Sequence, residues 1–190
     1  MRVVAAVAML ALAGCASVPP APVQADWTAR RAQLAGLDDW RMTGRVAVIV
    51  DDRGASASID WRQRGAASDV AVSGPLGVGA LRVELDGQQG LRMEDSRGAH
   101  LEGQAARDLL AQKLGTEVPL RSLRYWLLGI PAPGQPVRLA EADGGFVQDG
   151  WSVGIGALQA DGALQLPVRL TLERDGVRLK VAADHWEVPP

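Results

Sequence analysis

Cysteine is nearly absent: Cys15 stands alone in 190 residues, so no disulfide within the chain holds its fold. Non-indole rings are as scarce, with one Phe and one Tyr beside six Trp, so Val, Leu, Ile and Ala must fill most of any interior. His100 and His185 are the only histidines, and only Asp184 adjoins one of them at ligand spacing, which argues against a zinc centre or a Ser-His-Asp site. Ser56, Ser58, Ser68 and Ser73 sit in no Gly-x-Ser-x-Gly elbow. The glycines around Val78 open no helix and so make no phosphate loop. A net charge of −2 with no basic cluster excludes the electrostatic footprint of a nucleic-acid binder. These absences leave no metal, cofactor or catalytic residue to expect.

What is present begins at the N-terminus. Arg2 precedes an apolar run from Val3 to Ala13, far short of the roughly 20 residues that a membrane-crossing helix needs and about right for a signal segment. The run ends in Leu12-Ala13-Gly14-Cys15, which resembles the lipobox of bacterial lipoprotein precursors. That resemblance implies cleavage after residue 14 and lipid attachment at Cys15; acyl chains, at about 0.8 kcal/mol per buried methylene, then hold the protein on a bilayer without a spanning helix. Ala16 stands where an Asp usually signals inner-membrane retention, which points to the outer membrane of a Gram-negative bacterium, facing the periplasm. Residues 15–25 carry Pro19, Pro20 and Pro22 and suit an extended tether. Residues 26–190 are expected to form a single domain.

Within that domain, Asp26 is a good N-cap for a helix to about Asp38, with Trp27, Leu34 and Leu37 on one stripe and the stems of Arg30 and Arg31 along its margin. Period-two alternation follows. Val46, Val48 and Val50 share one face of a strand from Trp40 to Val50, and Asp51 to Gly54 turn it back. Ala57, Ile59 and Trp61 oppose Ser56, Ser58, Asp60 and Arg62, which makes a strand with one wet face. Val70 and Val72, then Leu81, Val83 and Leu85, then Leu91 and Met93 continue the pattern across short links containing glycine, as antiparallel neighbours require.

After Leu101 the period changes. Gln104 to Leu114, stopped by Gly115, and Pro119 to Gly129 read as two short helices forming a hairpin. Strands return at Phe146 to Gln148 and Trp151 to Leu158; the glycine-rich stretch from Gly154 to Gly162 is a poor strand. A last hairpin joins Val168, Leu170 and Leu172 to Val177, Leu179 and Val181 through Asp175-Gly176. At least eight strands with one apolar face each, and three amphipathic helices to cover them, predict an α+β chain that is mainly antiparallel β: an open, strongly curved sheet capped by helices. Periodicity does not distinguish a filled core from a lined cavity.

The order of several motifs carries a further resemblance. Trp27, Leu34, Leu37 and Trp40 with Gly44-Arg45, then Trp61-Arg62-Gln63, Gly74-Pro75-Leu76-Gly77, Leu123 to Pro131, Gly150-Trp151 and Asp184-His185-Trp186 together resemble the LolB family of outer-membrane lipoprotein receptors. The resemblance covers nearly the whole chain after the signal segment. It implies a half-barrel that encloses an apolar cavity beneath a helical lid, similar to the periplasmic carrier LolA. It also implies a monomer that accepts acylated lipoproteins from LolA and passes them to the inner leaflet of the outer membrane, with no cofactor and no catalysis.

Two sets of residues follow from it. Gly74, Pro75, Leu76 and Gly77 match the family's protruding membrane-insertion loop, with Leu76 at its tip. Trp61, Leu81, Val83, Leu123, Trp126, Leu127 and Trp151 are candidates to line the acyl-chain cavity, although indoles on an apolar face are more often plain core. Arg45 and Arg124 are candidates to tie the lid to the barrel or to meet carbonyls of the carrier, although arginines so placed are more often solvated at the surface. The competing expectation is a lipoprotein that serves as a structural or assembly subunit, with a solid core and protein partners.

Overall fold

A computed structural model describes residues 27–75, 79–88, 90–139 and 144–189. The chain opens with helix α1 (Trp27–Ala35), then strands β1 (Asp39–Val50), β2 (Arg53–Arg64), β3 (Ala67–Ser73), β4 (Leu81–Leu85), β5 (Leu91–Asp95) and β6 (His100–Glu102). Helices α2 (Gly103–Leu114) and α3 (Leu120–Leu127) follow, and then β7 (Arg138–Leu139), β8 (Phe146–Gln148), β9 (Trp151–Asp161), β10 (Leu164–Arg174) and β11 (Val177–Glu187).

All the strands belong to one antiparallel sheet in the order β6-β5-β4-β3-β2-β1-β11-β10-β9-β8-β7. The first six strands form one wing, the last five form the other, and β1 pairs with β11 along the spine. Because the chain leaves one sheet edge at β6 and re-enters at the opposite edge as β7, the segment holding α2 and α3 must cross from edge to edge. The connection itself therefore roofs the concave, apolar face of an open, curved sheet. Alternate buried positions confirm which face is inside, as in the run Trp40, Met42 and the run Ile59, Trp61, Gln63.

Local chemistry explains the turns. Asp51 and Asp52 take φ of +46° and +61°, a two-residue hairpin turn whose twist suits the flanking strands, so β2 begins at Arg53, earlier than its apolar pattern. Gly115 ends α2 with φ of +76°.

Three expectations are corrected. The glycine-rich stretch after Gly154 does form strand: β9 runs to Asp161 paired with β10, with two shifts of register on either side of the Ala157–Arg169 pair. The two central helices pack on each other only slightly; α2 lies chiefly on β5 and β6. Arg30 is not marginal but buried, with a consequence described below.

Candidate functional site

The concave face divides into two halves. In the first, indoles pack on one another: Trp40 stacks on Trp61 at 6.1 Å and meets Trp186 at 5.3 Å, while Trp126 and Trp151 lie 6.3 Å apart. Three of their polar tips have partners. Trp61 donates to Gln63 Oε1 at 3.1 Å, Trp126 to Gln148 Oε1 at 2.8 Å and Trp186 to the Pro167 carbonyl at 2.9 Å. Gln63 also accepts from Ser68 Oγ, and Gln148 clasps both backbone groups of Ala132 beyond α3. Among the described residues, only Trp151 Nε1 is buried without a partner.

Arg30 reaches from α1 into this half. Its guanidinium donates to the carbonyls of Leu128, Gly129 and Gln165 at 2.7, 3.2 and 3.0 Å, and burial pushes its pKa down to about 10, so it remains a cation at neutral pH. These bonds fasten the residues just after α3 to both α1 and β10. Arg124 extends the fastening across the roof: it donates to the Gly65 carbonyl in the β2–β3 turn, while Ser122 Oγ donates to Asp149 in the β8–β9 turn at 3.2 Å. Helix α3 is thus tied to both wings. Arg45 is no part of this; it lies exposed, 3.5 Å from Asp184.

In the second half the side chains are aliphatic and only partly covered. Val46, Val48 and Val50 of β1, Val72 of β3, Leu81 of β4, Leu101 of β6 and Leu109, Leu110 and Leu114 of α2 pack against the core yet keep accessible surface. The cross-strand pair Val72 and Leu81 is the last rung before the β3–β4 link. In that link Gly74 is half-buried and Pro75 exposed; Leu76 and Gly77 lie outside the described residues, as does Cys15.

The seven cavity candidates separate by burial. Trp126 and Trp151 have no accessible surface, Trp61 and Leu127 have 2% and Val83 has 5%. A residue lining a space wide enough for an acyl chain, which is wider than a water molecule, would keep exposed area, so these five are packed in this structure. Leu81 and Leu123 do keep it. Sequence reading set Arg30 at the margin of its helix, quoted Gln63 only within a motif and passed over Gln148. The glutamines had a signal: each sits two residues after a buried aromatic, Trp61 or Phe146, on the inward parity of its strand.

A family model described as "Outer membrane lipoprotein LolB" matches residues 38–186. The chain belongs to the LolB family. It is 36% identical over 188 residues to the outer-membrane lipoprotein LolB of Halorhodospira halophila, covering 94% of this chain and 91% of that one. To the protein of the same name from Chromohalobacter salexigens it is 32% identical over 185 residues, 93% of this chain and 86% of the other. Among solved structures, a LolA superfamily protein from Nitrosomonas europaea superposes with a TM-score of 0.51 at 9% identity, over 82% of this chain and 88% of that one. A DUF1329 family protein from Desulfovibrio piger gives 0.53 at 8% identity, over 86% and 90%. At such identities the structural matches speak to the fold alone. LolB-family membership makes the chain an outer-membrane lipoprotein of a Gram-negative bacterium whose role is lipoprotein localisation.

Proposed function

We propose that this protein, anchored through acyl groups on Cys15 and acting as a monomer, receives acylated lipoproteins from a periplasmic carrier of the LolA type. It then releases them into the inner leaflet of the outer membrane. Acyl chains in water cost about 0.8 kcal/mol per methylene, so they move only between apolar hosts. Each host must hold them better than the last: the receptor better than the carrier, and the bilayer better than the receptor. No nucleotide or metal enters such a sequence, and no bond is made or broken in it.

The observation that carries this reading is the partly open aliphatic half of the concave face, lying where the β3–β4 link departs. In this proposal the chains enter between α2 and the inner faces of β1, β3 and β4, with Leu81 and Leu123 in contact with them. The packed indoles, tied by glutamines and Arg30, serve as the rigid floor. Leu76 touches the bilayer and opens the exit. The tether of residues 15–25, about 30 Å long if extended as polyproline II, lets the domain reach both the carrier and the membrane.

The test is transfer of a lipoprotein from loaded carrier to the purified protein carrying Leu81→Gln and Leu123→Gln. Acceptance is expected to fall at least tenfold with circular dichroism unchanged. Acceptance equal to that of the unaltered protein would remove the aliphatic half from the pathway.

A further inference from the structure

Helix α3 meets the first wing across a cavity of about 310 Å³, within the range of small-molecule sites. Leu120, Arg121, Arg124 and Tyr125 line it from α3, and Leu85 and Asp86 line it from the end of β4 and the turn beyond. Residues 121, 124 and 125 share a helix face, being spaced i, i+3 and i+4. Leu85 faces inward like Leu81 but at the opposite end of β4, about 13 Å along the strand, so the cavity lies away from the Val72 and Leu81 rung.

Its unengaged polar groups are chiefly donors. Asp86 is the one carboxylate on its wall, and that group is turned into its own loop, where Oδ1 accepts the N–H groups of Gln88 and Gly90 at 2.8 and 2.7 Å. The hydroxyls of Ser68 and Ser122 donate to Gln63 at 2.7 Å and to Asp149 at 3.2 Å. Arg124 lies over the Tyr125 ring, 4.4 Å from its centroid, and donates to the phenol oxygen, which leaves the Tyr125 O–H proton to donate elsewhere. Arg121 is exposed and has no hydrogen-bond or ion-pair partner among the described residues. Past Leu85 and Leu120 the space continues into a second cavity of about 320 Å³ between α2 and α3, lined by Leu91 and Val118 and bordered by Arg107 and Glu117.

We infer that these joined cavities bind a single acyl chain with an anionic head, phosphate or carboxylate. The head lies against Arg121 and the Tyr125 O–H, and the chain runs along Leu85, Leu120 and Leu91. Charge and shape together select this class: a bare anion leaves the apolar arm unfilled, and a neutral chain leaves the cation and the phenol donor unpaired. One narrow arm suits one chain rather than the three of a triacylated cysteine. A ligand so placed touches α3 and the first wing at once, beside the Arg124 bond to the Gly65 carbonyl, and fastens the roof further. This site is separate from the receptor reading and does not depend on it.

The experiment uses the chain from residue 15 with Cys15→Ser, which keeps every described residue, and four probes below their micelle concentrations: dodecyl phosphate, dodecanoate, dodecyl maltoside and inorganic phosphate. At least one anionic chain is expected to bind about tenfold tighter than the maltoside and than inorganic phosphate, and to shift the amide resonances of Gly87, Arg121 and Tyr125. The tighter of the two names the head. Arg121→Gln combined with Tyr125→Phe is expected to remove that advantage while the maltoside binds as before, and Leu81→Gln in the aliphatic half is expected to leave it in place. If the double variant fails to fold, the resonance shifts in the parent decide. Equal binding of anionic and neutral chains overturns the inference, as do shifts confined to Leu81, Leu101 and Leu109. Inorganic phosphate bound as tightly as either chain means an adventitious ion only, and overturns it too. Loss of the advantage in Leu81→Gln puts the probe in the acyl-chain cavity, which overturns this site and leaves the receptor reading intact.

Discussion

Arg30 Nη2 donates to the Leu128 carbonyl at 2.7 Å, joining the first helix to the residues that end α3 across nearly a hundred positions of sequence. Among the described residues no carboxylate shares the bond, and the guanidinium donates to backbone carbonyls. Arg30→Met keeps most of the stem but strands three carbonyls. It should destabilise the fold by about 2–4 kcal/mol, the cost of buried acceptors left unpaired. Chemical denaturation measures this, and a loss under 1 kcal/mol would mean that water replaces the guanidinium freely.

Gly44 lies where β11 slips register against β1, between Thr43 and Gly44. A methyl group there would stand 2.1 Å from the Ala182 carbonyl oxygen and 3.0 Å from Ala183 Cα. Backbone, not a flexible side-chain tip, is in the way. Gly44→Ala should therefore cost at least about 2 kcal/mol by parting the spine of the sheet. A melting temperature within 2 °C of the parent's, roughly the resolution of such a scan, would contradict the close approach.

Asp60 receives two hydrogen bonds from Arg41, at 2.8 and 2.7 Å, and Arg41 also reaches Glu187, so one side chain spans β2, β1 and β11. Hydrogen bonding by Arg41, reinforced by its charge and that of Arg62, holds the Asp60 carboxyl below the usual carboxylate range. A depressed pKa contributes stability above the unfolded value, near pH 4, which is lost as pH falls through the folded one. Denaturation midpoints should thus decline below about pH 4 in the parent, and less steeply in Asp60→Asn. Parallel declines would show that the pair is too well solvated to matter.

Leu76→Glu should leave folding and acceptance from the carrier unchanged while slowing release into anionic vesicles by about tenfold or more, since a charge is costly in the acyl region. A release rate equal to the parent's would deny the β3–β4 link its role at the membrane.

The sheet was legible in the chain because one-sided burial leaves a period of two, and the Val, Leu and Ile positions from Val46 to Met93 kept it. The late strand β9 was less legible because Gly154 and Gly156 carry no side chain to show a period; cross-strand bonds to β10 hold it instead. Arg30 was misplaced for a related reason. A cation on a helix face reads as solvated, and its three acceptors come from segments far away in sequence.

Sequence alone determined that this chain has one apolar face per strand, three covering helices, no disulfide and motifs in the order of the LolB family, since each is a local pattern or a residue count. Tertiary structure alone decided that the indole half of the concave face is packed while the aliphatic half is partly open. Inward parity marks a side chain as facing the interior, but whether anything fills the space before it depends on where the edge-to-edge crossing lays α2 and α3.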